Sequence, residues 1–134
     1  MTPESADGDG EEAAKKTLVY VAGYGRSGST LLGRLIARTG HALDVGEVAM
    51  APLFLYRSRI RCACGSKMAA CPIWGALPKA LRDLPRRPAN PQDHAALLRA
   101  ILDVSTQPTI VDSSKTASSL AFRPYFLSKS LPVR

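Results

Sequence analysis

The chain has 134 residues, enough for one small domain and no more. Its hydrophobic content of 46% lets a compact α/β unit pack a core, and its formal net charge is +7. No apolar run approaches the ~20 residues of a membrane helix, and three cysteines behind an acidic, polar N-terminus argue against a disulfide scaffold and predict a cytoplasmic setting.

The charge is unevenly placed. Residues 1–12 hold five acids and no lysine or arginine, which leaves 18 basic against 6 acidic residues in the remainder, a net +12. A body that basic favours polyanionic partners: a nucleotide, a nucleic acid or an anionic surface. Residues 1–16 read as a disordered acidic tail. Thr17–Ala22 follows as a strand, near-continuously apolar, as a strand covered on both faces of a parallel sheet would be.

Next comes Gly23-Tyr24-Gly25-Arg26-Ser27-Gly28-Ser29-Thr30, and then a helical pattern from Ser29 to Arg38. Strand, glycine-rich turn and helix in that order make an anion cradle. The first N–H groups of a helix have no intrahelical partner, and the helix dipole favours negative charge there. The spacing from Gly23 to Gly28 is that of a phosphate loop, but Ser29 stands where nucleotide hydrolases carry lysine. The cation sits instead at Arg26, whose planar guanidinium can grip an oxyanion through two parallel hydrogen bonds. Leu31, Leu32, Leu35 and Ile36 predict a buried face on this helix. Gly33 predicts close packing on the sheet, and Gly40 a C-terminal stop.

His41–Val45 reads as a second strand ending at Gly46-Glu47. Ligands in open α/β sheets bind at the carboxyl ends of strands, so Glu47 is expected to face the same crevice as Arg26. His41 is a rival general base. Val48–Tyr56 reads as helix, with Pro52 near its first turn. Arg57, Arg59 and Arg61 either touch an anionic acceptor or are solvated. Cys62, Cys64 and Cys71 fall short of the four ligands of a structural zinc site, so their default role, with Trp74, is core packing.

Residues 73–86 and 91–105 read as helices. The second has an apolar face at Ala95, Leu98, Ile101, Leu102 and Val104, with His94 exposed at its start. Pro108–Asp112 is a third strand, and it delivers Ser113, Ser114 and Lys115 to the same sheet edge as the loop. An acid in the place of Asp112 would organise magnesium in a nucleotide hydrolase. Thr116–Ser130 reads as a helix broken at Pro124, and Leu131–Arg134 as the opening of a further strand.

Three of these segments carry a resemblance to one family. Gly25-Arg26-Ser27-Gly28-Ser29-Thr30-Leu31-Leu32, Gly46-Glu47 and Val111-Asp112-Ser113-Ser114-Lys115 together resemble sulfotransferases that use 3′-phosphoadenosine-5′-phosphosulfate (PAPS). The resemblance implies a three-layer α/β/α fold with a mostly parallel sheet, similar to P-loop nucleotide hydrolases. It implies PAPS binding by Gly25, Arg26, Ser27, Gly28, Ser29 and Thr30, and catalysis by Arg26, Glu47 and Lys115. Glu47 would be the base, although the family's tyrosine-directed branch has Gly-Glu-Glu where this chain has Gly46-Glu47-Val48. No metal is required. The acceptor would be a small molecule, carbohydrate, lipid or peptide, and nucleic acid is not an expected partner.

The family's Arg-Asp segment and later serine, which hold the 3′-phosphate, have no counterpart here. Residues 17–134 therefore resemble the N-terminal portion of a longer, apparently truncated domain. They comprise the 5′-phosphosulfate loop, an acceptor-side insertion at about 48–106, and a strand and helix at 108–130. The competing reading is a P-loop kinase or nucleoside triphosphatase with an atypical phosphate loop. A nucleic-acid-binding module is weakened by the lack of aromatics among the arginines.

Overall fold

A computed structural model describes residues 15–55, 57, 59–115 and 122–133. The predicted tail at 1–14, Tyr56, and residues 116–121 of the last predicted helix lie outside the described residues. Lys16, assigned to the tail by sequence, is anchored: its ammonium donates to the carbonyls of Leu102 and Ser105.

The chain forms an α/β structure around three parallel strands, β1 (Thr17–Tyr20), β2 (Ala42–Gly46) and β3 (Thr109–Asp112). Their order across the sheet is β1-β3-β2, so β3 lies in the centre. β3 is the apolar, buried strand, whereas β1 is an edge and its residues are only half-buried. Two-sided burial thus belongs to the central strand and not to the first, where the run Thr17–Ala22 predicted it.

Register decides which helix lies on which face. Asp44 pairs with Val111, and partners across a ladder share a face. A β-carbon on Gly33 would come within 3.1 Å of the Asp44 carboxylate, so helix α1 (Ser29–Ala37) covers that side. Asp112 points the other way and hydrogen-bonds His94 of helix α4 (Pro91–Val104). The main core lies on the α4 side, where Ile110 and Leu18 meet Leu97, Leu98 and Ile101, joined by Leu127 of helix α5 (Phe122–Ser130).

α1 ends where Gly40 takes a left-handed φ of 86°, as its sequence predicts. Its predicted apolar face is a correction. Leu31, Leu32 and Leu35 are 62%, 48% and 52% exposed, and the helix meets the sheet through Ser29 and Gly33 instead. α4 matches its prediction closely, with Asn90 accepting from the Asp93 N–H as N-cap and Pro91 in the first turn. The expected exposure of His94 is wrong: it is fully buried.

The other helices are shorter than predicted. Val48–Met50 is a 3₁₀ turn that leads into a one-turn helix, α2 (Ala51–Phe54), with Pro52 in its first turn. Residues 73–86 hold only a 3₁₀ turn, Trp74–Ala76, and one helical turn, α3 (Lys79–Arg82). The reason is Pro78, which sits at φ −52° and ψ 144° and ends any continuous helix between them. Pro124 does not break α5, which is continuous over Phe122–Ser130. Residues 131–133, the described part of the predicted further strand, are not extended into a strand; Leu131 is buried and Val133 packs on the core. Among the described residues, no helix is long and apolar enough to cross a membrane.

Candidate active site

The glycine-rich turn between β1 and α1 is exposed from Tyr24 to Gly28. Ser27 N–H closes it onto the Tyr24 carbonyl at 3.2 Å. Gly28 stands at φ 84°, a region glycine enters without penalty, and serves as N-cap of α1. Arg26 has φ 64° and is the non-glycine residue at positive φ among the described residues. That conformation costs roughly 1–2 kcal/mol for a residue with a β-carbon, and such strain clusters at functional turns. A β-carbon on Gly23 would lie 2.7 Å from the Ser27 hydroxyl, so a larger residue there would turn that side chain aside.

No side chain caps the first turn of α1, and no acid lies within it. The amino end of this nine-residue helix therefore keeps its unpaired donors and its partial positive charge. Ser29 is buried there with a hydroxyl that has no hydrogen-bond partner in the protein.

The second wall is held by Asp112. Its Oδ1 accepts from Ser114 N–H at 2.8 Å, Ser114 Oγ at 2.5 Å and Val48 N–H at 3.3 Å. Ser114 Oγ in turn accepts from Ala49 N–H at 2.8 Å. Asp112 Oδ2 lies 2.6 Å from His94 Nε2, and His94 Nδ1 lies 3.1 Å from Arg123 Nη1. An arginine can only donate, so Nδ1 accepts and Nε2 carries the hydrogen that goes to Asp112. Arg123 Nη1 also donates to the Ala89 carbonyl. The whole line is buried. Burial pushes the adjacent Tyr20 phenol up to about 12, with Asp112 adding to the rise and Arg123 opposing it.

This network fixes where Glu47 stands. Val48 and Ala49 are tied to Asp112 and Ser114, Gly46 carbonyl accepts from Ser113 N–H at 2.9 Å, and Gly46 takes φ 69° to turn the chain. Glu47 follows, partly exposed, and forms an ion pair with Lys115. Two residues that sequence placed in the same crevice are thus in direct contact.

Thr30, Arg34, Glu47, Arg61 and Ser113 line one cavity of about 350 Å³. Ser113 is buried, and its hydroxyl also has no partner in the protein. Arg26, Ser27, Gly28 and Lys115 are not among the residues lining this cavity; the first three lie on the exposed turn that precedes Thr30. His41 is exposed and lies at the opposite end of β2 from Glu47. A larger cavity of about 890 Å³ shares the wall formed by Arg34, Asp44, Cys62 and Trp74, and continues between α1 and the cysteine-bearing segment. α4 packs on the sheet, so the wall facing α1 comes from residues 60–74. All three residues of the arginine run are exposed, and Arg61 also lines the cavity.

Sequence reasoning missed His94, Arg123 and the structural duty of Asp112. The signal available was a histidine one turn into an otherwise apolar helix face, which reads equally as surface.

Comparison with protein-family models, curated proteins and solved structures gives no match for this chain.

Proposed function

We propose that this chain is the 5′-phosphosulfate-binding portion of a PAPS-dependent sulfotransferase, with a P-loop-like three-layer fold. In this reading a sulfuryl group passes from PAPS to an acceptor hydroxyl or amine. The observation that carries it is the meeting of Thr30, at an uncapped helix start, with Glu47 and the unpartnered hydroxyl of Ser113 around one cavity. Donors without protein partners at a helix start suit an oxyanion, and a carboxylate across the same space suits proton removal.

Gly25 to Thr30 would hold the 5′-phosphate through backbone N–H groups and hydroxyls. Arg26 would stabilise charge that grows on that phosphate as it leaves; one such donor is worth about 2.7–4 kcal/mol. Glu47 would accept the proton of the attacking acceptor. Lys115 holds the Glu47 carboxylate in place and supplies a cation beside it. The larger apolar cavity, walled by Leu31, Leu35, Ile73 and Trp74, offers the acceptor its space. Phosphoryl transfer is the weaker reading: Ser29 replaces the loop lysine, and all of Asp112's bonds go to the protein, which leaves no free carboxylate there for magnesium.

The test measures adenosine 3′,5′-bisphosphate binding by calorimetry and sulfate transfer from PAPS to a panel of hydroxyl and amine acceptors. Arg26→Ala should lower transfer by at least ~100-fold. Glu47→Gln should lower turnover while bisphosphate binding stays near the wild-type value. Transfer at wild-type rates in both variants, or magnesium-dependent ATP binding in place of bisphosphate binding, overturns the proposal.

A further inference from the structure

Away from the glycine-rich turn, residues 61–75 bring together three thiols that are spread over ten positions of sequence. Arg61 and Lys67 form an antiparallel bridge, Cys62 N–H donates to the Ser66 carbonyl at 2.9 Å, and Gly65 N–H returns to the Cys62 carbonyl at 2.8 Å. Gly65 closes this turn at φ 88°. The result is a knuckle that presents Cys62 and Cys64 side by side. Cys71 arrives from the end of the 3₁₀ turn Met68–Ala70. That turn is pressed against the Trp74–Ala76 turn so closely that a β-carbon on Gly75 would lie 2.3 Å from the Ala69 carbonyl oxygen. Only glycine fits there, and its fit sets Cys71 under the knuckle.

The three sulfurs lie within 4.8 Å of one another, and Cys62 and Cys71 are 3.5 Å apart. Sulfurs bound tetrahedrally to zinc at about 2.3 Å stand roughly 3.8 Å apart, so small side-chain rotations would complete the set. Arg61 and Lys67 flank the site and offset the surplus negative charge of three thiolates on one divalent ion. Among the described residues no fourth His, Cys, Asp or Glu joins the group, and Cys64 is exposed, so solvent can take the last position.

We propose that Cys62, Cys64 and Cys71 bind one Zn²⁺ with a solvent-filled fourth position. The three thiols release their protons to solvent as the three Zn–S bonds form, and no electrons are exchanged. The ion pins the knuckle to the 68–76 turns. Those turns and the knuckle form the wall of the large cavity opposite α1, to which all three cysteines contribute. The proposal is independent of what the glycine-rich turn binds.

The test titrates the reduced, metal-stripped chain with Co²⁺ alone. One Co²⁺ per chain should bind, with sulfur-to-cobalt charge-transfer absorption and the visible bands of a tetrahedral ion, and Zn²⁺ should displace it. Loss of an outer-shell partner of a metal costs about 10–100-fold in affinity, so Cys64→Ser, which removes a ligand, should cost more than ~100-fold. Because Cys64 is exposed, this variant should keep the wild-type circular dichroism; if it does not, the wild-type titration alone decides. Absence of the charge-transfer band, equal affinity in Cys64→Ser, or a Cys62–Cys71 disulfide whose reduced form binds no Co²⁺ overturns the proposal.

Discussion

Helices α1 and α4 lie on opposite faces of one sheet and both are amphipathic in sequence, yet they bury different things. α4 turns Leu97, Leu98 and Ile101 into the core and buries its one histidine among them. α1 turns Ser29 and Gly33 to the sheet and leaves three leucines in the open. Both stripes on α1 have helical spacing: Ser29, Gly33 and Ile36 make one, Leu31, Leu32 and Leu35 the other. The narrower stripe wins because glycine lets the helix backbone come so close to the Asp44 carboxylate that even a β-carbon would be crowded, at 3.1 Å. The contrast teaches that apolar periodicity locates a stripe, while small residues locate the contact.

The largest expected effect lies in the buried network on the α4 side. His94→Leu leaves Asp112 and Arg123 facing each other's vacated space, and should destabilise the chain by about 3–5 kcal/mol in urea unfolding. A loss under ~1 kcal/mol would remove the network from the account of stability. Next, Leu98→Ala should cost about 2–5 kcal/mol, as expected of a fully buried leucine, whereas Leu35→Ala on α1 should stay within ~0.5 kcal/mol. Equal losses in the two variants would break the comparison, because they would mean that α1's leucines are covered in solution.

The smallest effect is a pH dependence. The Tyr20 phenol is raised from its ordinary 10.0 to about 12 by burial. The folded chain therefore keeps this proton over a range where the unfolded chain has released it, and stability should fall as pH climbs from about 10 to about 12. Tyr20→Phe should flatten that part of the profile. If the slope is unchanged, Tyr20 is not the group responsible.

The local features were legible in sequence. Glycine and proline punctuation marks the turn at Gly23–Gly28, the end of α1 at Gly40 and the start of α4 at Pro91, because each acts on its own backbone. Gly33 was correctly read as a point of close approach to the sheet. Long-range partners were not legible. Nothing near His94 announces that Asp112 and Arg123 will meet it, since the three come from different elements. The Glu47–Lys115 pair was only half visible, as two residues at the ends of two strands. The cysteines were read in part: Cys71 packs in the core with Trp74 and Cys62 lies against it, as expected, but Cys64 is exposed, and the closeness of the three sulfurs is not visible in their spacing along the chain. Their proximity depends on Gly65 and on the 3₁₀ turns between residues 68 and 76.

The strand order carries a consequence for how the molecule comes into being. β1 and β2 share no hydrogen bonds with each other, and each is paired only to β3, with Thr17 matched to Thr109 and Ala42 to that same residue. A nascent chain can therefore build helices as it leaves the ribosome, but β1 and β2 cannot join one sheet until β3 slots between them. Contacts so distant along the chain slow folding, and until then both lone strands offer open edges to chaperones, or to one another's copies on neighbouring ribosomes.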